Sequence, residues 1–560
     1  MVATLDEPIA DERLRAALAR FGHRSFRPGQ EEVVRALLAG RDALAIFPTG
    51  SGKSLTYQLT AQLLDRPTVV VSPLIALMRD QVDSLDEVRI PARMLASTQT
   101  EAESARALED VEAGRSKLLY VTPERFANDA FVQRLRALEV ALLVVDEAHC
   151  ISEWGHDFRP AYLLLEQVAA RLGRPRLLAL TATATPWVRD EIVERLGLHR
   201  PLVAAFGNDR PNLFLEVRRV EEEAHDRRVL EALLCGEPED DLGGLAAPLH
   251  AAMQGSGIVY VATVRRATET VGWLRQWGIA ADAYHGRRRT SDRDAVQEAF
   301  MDGRVRVVVA TNAFGLGVDT PDVRFVVHRD VPASLEAYYQ EAGRAGRDGE
   351  LARCTLVYRN ADLGQAAFLA GTGTLERDEL ERAREVLLQR GRLTRRELAE
   401  ASELGAADVH RVVEILAAHG VVRERRRRVE LLEPGFDLAE ISLESEKRRR
   451  AYERSRLEMM RGYADTVECR RRYVLNYFGE ELDPERCRRC DNHVRGPAAR
   501  REEVPDGGPF TLGMRVRHAA WGDGLVQRVT EDAVTVLFDR AGYKTLAAAL
   551  VLERGLLEPI

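Results

Sequence analysis

Between residues 30 and 210 the chain alternates short runs of consecutive apolar side chains with stretches whose apolar positions recur every three to four residues. The runs fall at 43–47, 68–72, 117–121, 141–145 and 176–180. An unbroken apolar run predicts a strand buried on both faces, and helical periodicity between such runs predicts the crossovers of a parallel sheet. A second series with the same rhythm, at 257–262, 281–284, 305–310, 323–328 and 354–358, predicts a second parallel-sheet domain of similar size. Between the two series, residues 236–257 are rich in Gly, Pro and acidic side chains and read as a surface insertion or linker.

Past about residue 360 the period becomes helical. Thr394-x-x-Glu397 is a capping box, and a helix over about 406–419 ends at Gly420. Two β-like runs within 421–432 flank the block Arg425-Arg426-Arg427-Arg428. Helices followed by a basic hairpin of this length predict a helix-turn-helix with a wing. Residues 440–480 are helical and charged, 469–493 form a compact polar knot, and 497–508 read as a linker. Short alternating runs in 510–560, such as 533–538, predict a small β-barrel. The expected fold class is therefore α/β with added modules. Two parallel-sheet domains span 1–208 and 209–360, a winged-helix-like domain 372–435, a helical cysteine-bearing subdomain 440–496 and a small barrel 509–560.

Composition changes this picture in three places. At about 100–200 residues per domain, 560 residues agree with a multi-domain chain. No apolar run reaches 18 residues and the amino terminus has no basic-then-apolar pattern, which predicts neither a membrane span nor a secretory signal. Six cysteines do not make a disulfide framework; three of them cluster, which reads as metal binding in a reducing compartment. Cys150, Cys235 and Cys354 lack such spacing and read as small buried hydrophobes. The formal charge of −8 counts against a nucleic-acid partner until its distribution is examined. Acid concentrates at 221–223 and 237–241, leaving arginines at 423–428, 448–450 and 470–472 to form local basic surfaces. Only 4 of the 80 basic residues are lysine (53, 117, 447 and 544), a skew that a GC-rich genome produces without functional cause.

The clearest chemistry is Pro48-Thr49-Gly50-Ser51-Gly52-Lys53-Ser54, between a predicted strand and a predicted helix. Backbone N–H groups of Thr49, Gly50, Ser51 and Gly52 can curl around phosphates at a helix N-terminus, Lys53 can reach the β/γ-phosphates and Ser54 can hold Mg²⁺. Phe47 stands where the strict pattern has its first glycine, but the G-x-G-K-S core survives. A glycine-rich turn with a chance lysine is the bland alternative, and the strand and helix flanks outweigh it. Val144-Val145-Asp146-Glu147-Ala148-His149 follows a hydrophobic strand. Asp146 is placed to order Mg²⁺ through water and Glu147 to polarise the attacking water. Alone these acids read as a solvated strand end; with the phosphate loop they specify nucleoside triphosphate hydrolysis. Gln340-Glu341-Ala342-Gly343-Arg344-Ala345-Gly346-Arg347-Asp348-Gly349 offers guanidinium groups that can cross a cleft to a transferred phosphoryl group. A charged surface turn is the alternative. Cys469-x17-Cys487-x2-Cys490-x2-His493 offers four ligands for a tetrahedral, structural Zn²⁺, against the alternative of free buried thiols. Arg425, Arg426 and Arg427 can contact DNA phosphates, against the alternative of a solvated arginine run.

At these residues the chain resembles the RecQ family of superfamily-two DNA helicases. The likeness covers roughly 12–358 and 440–495. Specific stretches are Phe21-Gly22-His23-Arg24-Ser25-Phe26-Arg27-Pro28-Gly29-Gln30 and His149-Cys150-Ile151-Ser152-Glu153-Trp154-Gly155-His156-Asp157-Phe158-Arg159-Pro160. Thr181-Ala182-Thr183-Ala184 and Ala313-Phe314-Gly315-Leu316-Gly317-Val318-Asp319 fit as well. The resemblance implies two RecA-like domains with ATP between them. It places Arg27 and Gln30 at the adenine, Arg347 as the arginine finger and Arg344 beside it near the γ-phosphate. Trp154, His156, Phe158 and Arg159 belong to a loop coupling single-strand binding to hydrolysis, in which aromatic faces stack on bases at ~1–3 kcal/mol each.

The chain departs from the family pattern at three points: His23 stands where an aromatic is frequent, His493 where the last zinc ligand is usually cysteine, and the winged-helix candidate precedes the zinc segment instead of following it. The tail Phe510-x-x-Gly513-x-Arg515-Val516-x-His518-x-x-Trp521-Gly522-x-Gly524 resembles the SH3/Tudor-like module of UvrD/PcrA-type helicases, which docks on RNA polymerase. The expectation is a monomeric, ATP-, Mg²⁺- and Zn²⁺-dependent DNA helicase of the bacterial cytoplasm. It moves 3′→5′ on single-stranded DNA and opens forked or branched duplexes in repair and recombination. An RNA helicase and a transcription-coupling factor using ATP as a switch remain the alternatives.

Overall fold

The computed structural model describes residues 11–48, 51–96, 99–152, 159–205, 207–311, 314, 322–359, 361–362, 377–425, 427–438, 441, 444–480, 482, 487–495, 509–511, 514–529, 533–538 and 542–560. In the first domain seven parallel strands lie in the order Ala92–Leu95, Leu118–Val121, Thr68–Val71, Leu142–Val145, Arg176–Thr181, Ala43–Ile46, Leu202–Ala205. The five interior strands are the predicted apolar runs. The two missed strands are the sheet's edges, where one flank meets solvent and the residues need not be apolar. Arg93 and Met94, for example, are only half-buried. Because all strands run one way, their carboxyl ends converge on one rim. Lys53, the acidic pair and Thr181 sit there together.

The second sheet has six parallel strands, ordered Ala281–Tyr284, Val307–Ala310, Ser256–Tyr260, Val323–His328, Ala352–Tyr358, Leu213–Arg219. The missed strand, Leu213–Arg219, is again an edge, broken by Glu216 and Arg218. Residues 236–257, expected as a surface insertion or linker, have regular structure of their own. They form a short 3-10 helix, Asp240–Leu245, and a helix, Ala246–Gln254, that bury Leu242, Leu249 and Met253. The leucines recur at helical spacing; the surrounding Gly and acid obscured them.

Helices Arg377–Arg390, Arg395–Ser402 and Ala406–Ala418 pack on a three-stranded antiparallel sheet, ordered Leu393–Thr394, Arg428–Leu431, Val422–Arg425. The capping box forms in both directions: Glu397 N donates to Thr394 Oγ1 at 3.2 Å and Thr394 N to Glu397 Oε2 at 2.7 Å. This body has its own core, including Leu380, Leu398, Val412 and Val429, and that core continues to Leu438 and Ile441.

Helices Glu444–Asp465, Arg470–Tyr477 and Asp491–Arg495 make the cysteine-bearing segment. It is not an appendage: Met460, Tyr463, Tyr473 and Phe478 share one core with Tyr338, Tyr339 and Cys354 of the second domain. The carboxy-terminal strands Gly542–Ala547, Ala533–Phe538, Gly522–Val529, Arg515–His518 and Glu558–Pro559 form an antiparallel half-barrel, and its Leu537 enters the same core. Trp521 is half-buried there, stacked on His518 at 4.0 Å between ring centroids. No helix of the described residues is long and apolar enough to cross a membrane.

Candidate functional site

The helix Lys53–Leu63 begins at Gly52, whose φ of 82° is left-handed. A Cβ added there would stand 2.7 Å from Gln30 Nε2, so glycine is required by conformation and by space. Gln30 is buried and fully engaged with this turn: its Nε2 donates to Ser51 O at 3.1 Å and Gly52 O at 2.9 Å, and its Oε1 accepts from Arg27 N at 2.9 Å. The predicted adenine-side residues thus brace the phosphate loop itself.

Lys53 Nζ lies 3.3 Å from Glu147 Oε1. Glu147 follows the strand Leu142–Val145 with φ 49°, a backbone conformation rare for a non-glycine residue. Its Oε2 is 3.4 Å from His149 Nδ1, which in turn is 2.9 Å from Thr181 Oγ1. Asp146 Oδ1 accepts from Glu147 N at 3.0 Å, and Tyr162 donates to Asp146 O at 2.9 Å.

Burial sets the electrostatics of this rim. It pushes the Asp146 carboxyl up to about 6, helped by the charge of Glu147. Burial also opposes the Lys53 ammonium, but Glu147 and Asp146 outweigh it and hold that lysine above its ordinary value. Arg347 acts on Lys53 in the other sense, so its guanidinium, from the second domain, is within electrostatic reach of the phosphate loop. Burial, reinforced by Lys53, Arg159 and Arg456, drives His149 down to about 3 and keeps it neutral.

The loop carrying Arg344 and Arg347 is clamped from behind by residues that the sequence did not single out. Arg210 donates to Gly343 O at 3.0 Å, Ala345 O at 2.8 Å and Gly346 O at 2.7 Å. Asn212 Nδ2 donates to Gly346 O and Glu350 O, both at 2.8 Å. Gly346 has φ +59°, and a Cβ there would meet Glu350 O at 2.7 Å. The neighbouring Asn208 is gripped by Glu480, from its N at 2.8 Å and its Nδ2 at 2.6 Å, and Asp209 pairs with Arg471. The available signal was the polar run Asn208-Asp209-Arg210-Pro211-Asn212 at the junction of the two domains.

Thr49, Gly50, Trp154, His156, Phe158 and Arg426 lie outside the described residues. Arg159 is half-buried and donates to Pro73 O at 3.2 Å. Arg425 and Arg427 are exposed on the wing. Two expectations are corrected. Arg470 and Arg471 are buried and paired with Asp491 and Asp209, so they build structure rather than a basic surface. Cys235 is exposed, because it ends the helix Glu223–Cys235 on its outer side, whereas Cys150 and Cys354 are buried as expected.

The ligand atoms of Cys469, Cys487, Cys490 and His493 all lie within 4.8 Å of one another. Ligands about 2.3 Å from a tetrahedral Zn²⁺ stand about 3.8 Å apart, so the cluster fits that ion with little contraction. Cys490 Sγ and His493 Nδ1 are 3.0 Å apart, and Cys469 caps the helix Arg470–Tyr477 by accepting from Arg472 N at 3.3 Å. The neighbouring thiols donate to Cys487 and hold it down at about 3, while the same contacts push Cys469 up. With all four bound, three sulfurs and an imidazole would leave no coordination position for water, as in a structural site.

Residues 27–191 match the DEAD/DEAH box helicase family, 241–349 the helicase conserved C-terminal domain, 407–494 the RecQ zinc-binding family and 510–553 a family of unknown function, DUF3553. The ATP-dependent DNA helicase RecQ of Bacillus subtilis is 34% identical over 474 residues, covering 84% of this chain and 65% of that protein. RecQ of Pasteurella multocida is 41% identical over 355 residues, covering 63% and 53%. The probable ATP-dependent DNA helicase RecS of Bacillus subtilis is 35% identical over 477 residues, covering 83% and 88%. The chain thus spans between 53% and 65% of the two RecQ proteins and most of RecS. A solved structure of the DUF1998 helicase MrfA bound to DNA has a TM-score of 0.52 at 17% identity, covering 79% of this chain and 65% of that one, a likeness of fold.

Proposed function

The chain belongs to the RecQ family of helicases, and from that premise we propose that it is an ATP-dependent DNA helicase moving 3′→5′ along single-stranded DNA and opening forked duplexes. The observation that carries this reading is the 3.3 Å approach of Lys53 to Glu147 at the rim of the first domain, where the charge of Arg347 from the second domain also acts on Lys53. The phosphate-loop N–H groups and Lys53 bind the triphosphate, with Gln30 bracing the loop. Ser54 and Asp146 would hold Mg²⁺, which supplies charge neutralisation at the phosphates. Glu147 accepts the proton of the attacking water, and neutral His149, held by Thr181 at 2.9 Å, stands beside that carboxylate. Arg347, with Arg344 beside it, faces the charge that develops on the transferred group. Because the two domains each supply part of the site, nucleotide turnover is coupled to their separation, and that motion steps the strand.

The wing arginines are assigned to duplex phosphates, and the half-barrel, by its resemblance, to contact with RNA polymerase. The chain acts as a monomer in the bacterial cytoplasm. Strand displacement on forked duplexes bearing a 3′ or a 5′ single-stranded tail tests the proposal. Opening of the 3′-tailed fork with ATP and Mg²⁺ is expected. Hydrolysis without displacement would favour the ATP-switch reading, and stronger stimulation by RNA than by DNA would favour an RNA helicase.

A further inference from the structure

We infer that the zinc-bearing segment sets the position of the arginine loop through a buried relay in which Tyr338 and Tyr463 are positioning residues. The inference rests on the proposed ATPase site and adds to it two tyrosines that lie outside the predicted motifs.

The relay starts at the metal cluster. Asp491, next to Cys490, accepts from Arg470 Nε at 2.6 Å. Arg470 Nη1 donates to Tyr463 O at 2.7 Å, and its guanidinium stands 5.6 Å from the Tyr463 ring centroid. The Tyr463 and Tyr338 hydroxyls are 2.9 Å apart. The Tyr338 ring lies 5.0 Å from the ring of His328, which also stacks on Tyr260 at 5.2 Å. His328 Nε2 is 2.7 Å from Glu341 Oε2, and Glu341 O accepts from Arg344 N at 3.2 Å. Tyr338, Tyr463 and His328 are each 0% exposed.

Packing alone does not explain these residue types. Phenylalanine would fill the same volume without burying two hydroxyls, which are tolerated in a core only when hydrogen-bonded. The hydroxyl pair is directional. It fixes the register of the helix Leu335–Ala342 against the helix Glu444–Asp465, and the former runs directly into Gly343 and the arginine loop. The same short helix is held at two more points on the same side. Arg456 Nη2 donates to Ser334 Oγ at 2.6 Å, and Tyr477 donates to Glu336. A shift of the zinc segment is therefore passed to the loop that carries Arg344 and Arg347.

The test uses the full chain and the variants Tyr338→Phe, Tyr463→Phe and the double variant. Each removes only the hydroxyl–hydroxyl bond and keeps both rings. DNA-stimulated ATP hydrolysis is measured with saturating oligo-dT, together with bound zinc and thermal unfolding. Loss of register at the loop is expected to lower kcat about tenfold, with KM for ATP within about twofold of wild type. Zinc content should be unchanged, and the double variant should fall no further than either single, because one bond is removed in all three. Wild-type kcat in the variants, losses that add, or losses that track zinc release would overturn the relay. Absence of DNA-stimulated hydrolysis in the wild-type chain would instead overturn the functional reading on which it rests.

Discussion

The ammonium of Lys53 stands 3.3 Å from the carboxylate of Glu147, with the buried Asp146 beside them. One cation therefore serves two acids and is the phosphate-binding lysine as well. Replacing Lys53 by Ala removes the phosphate contact and leaves two buried carboxyls facing each other. ATP hydrolysis is expected to fall by more than about a hundredfold, measured as phosphate release with saturating single-stranded DNA. DNA affinity, measured by anisotropy without nucleotide, should persist; retained hydrolysis would sink the site assignment.

A second buried charge group gives a prediction about pH. Glu216 accepts from Arg353 at 2.7 Å and 3.1 Å and from Thr355 at 2.6 Å. Burial would raise its carboxyl, but Arg353, Arg218 and these hydrogen bonds outweigh it and bring it down to about 2. The folded chain thus holds this proton less tightly than the unfolded chain does, where the ordinary value is 4.5. The resulting stabilisation is complete above about 4.5 and drains away as pH falls towards 2. Glu216→Gln leaves the buried Arg353 with Glu239, at 2.7 Å, as its remaining carboxylate and should cost about 2 kcal/mol at neutral pH. In urea unfolding, the gap between wild type and variant should shrink as pH drops below about 4.5; a gap independent of pH would contradict it.

Much of this was legible in the chain, and the omissions share a cause. Interior strands such as Leu142–Val145 announce themselves because both faces are covered. Edge strands such as Leu213–Arg219 carry charged residues such as Glu216, whose partner Arg353 lies far away in sequence. Lys53, Asp146 and Glu147 were readable because their spacing to a strand end is local. Arg210 and Asn212 were not, because they act by reaching more than a hundred residues along the chain to Gly343 and Gly346. The arginines at 470–471 misled for the same reason: their counterions, Asp491 and Asp209, are brought in by the fold.

The wing separates paired from available charge. Arg423 faces Glu430 at 3.4 Å, and Arg428 donates to Arg392 O at 3.1 Å. No ion pair among the described residues involves Arg425 or Arg427, both exposed, which leaves them for phosphates. Each phosphate contact contributes about 0.9 to the slope of log affinity against log salt for duplex DNA. Arg425→Ala with Arg427→Ala should make that slope shallower by about one to two, equally for unrelated sequences. Anisotropy titrations across a salt series read this directly, and an unchanged slope would remove the wing from the interface.

His493 is where the chain departs from an all-cysteine cluster, and its Nδ1 lies 3.0 Å from Cys490 Sγ. If the imidazole is the fourth ligand, removing it opens a coordination position to water and weakens the site, while a thiolate in its place preserves four protein donors. His493→Ala should lower zinc affinity by more than about a hundredfold, measured by competition with a chromogenic chelator. His493→Cys should retain zinc. Because Cys469, Cys487 and Cys490 belong to the core shared with Tyr338 and Tyr463, the alanine variant should also unfold at lower temperature and hydrolyse ATP more slowly. The cysteine variant should match wild type in both. Full zinc retention by the alanine variant would show that the three cysteines hold the ion without His493.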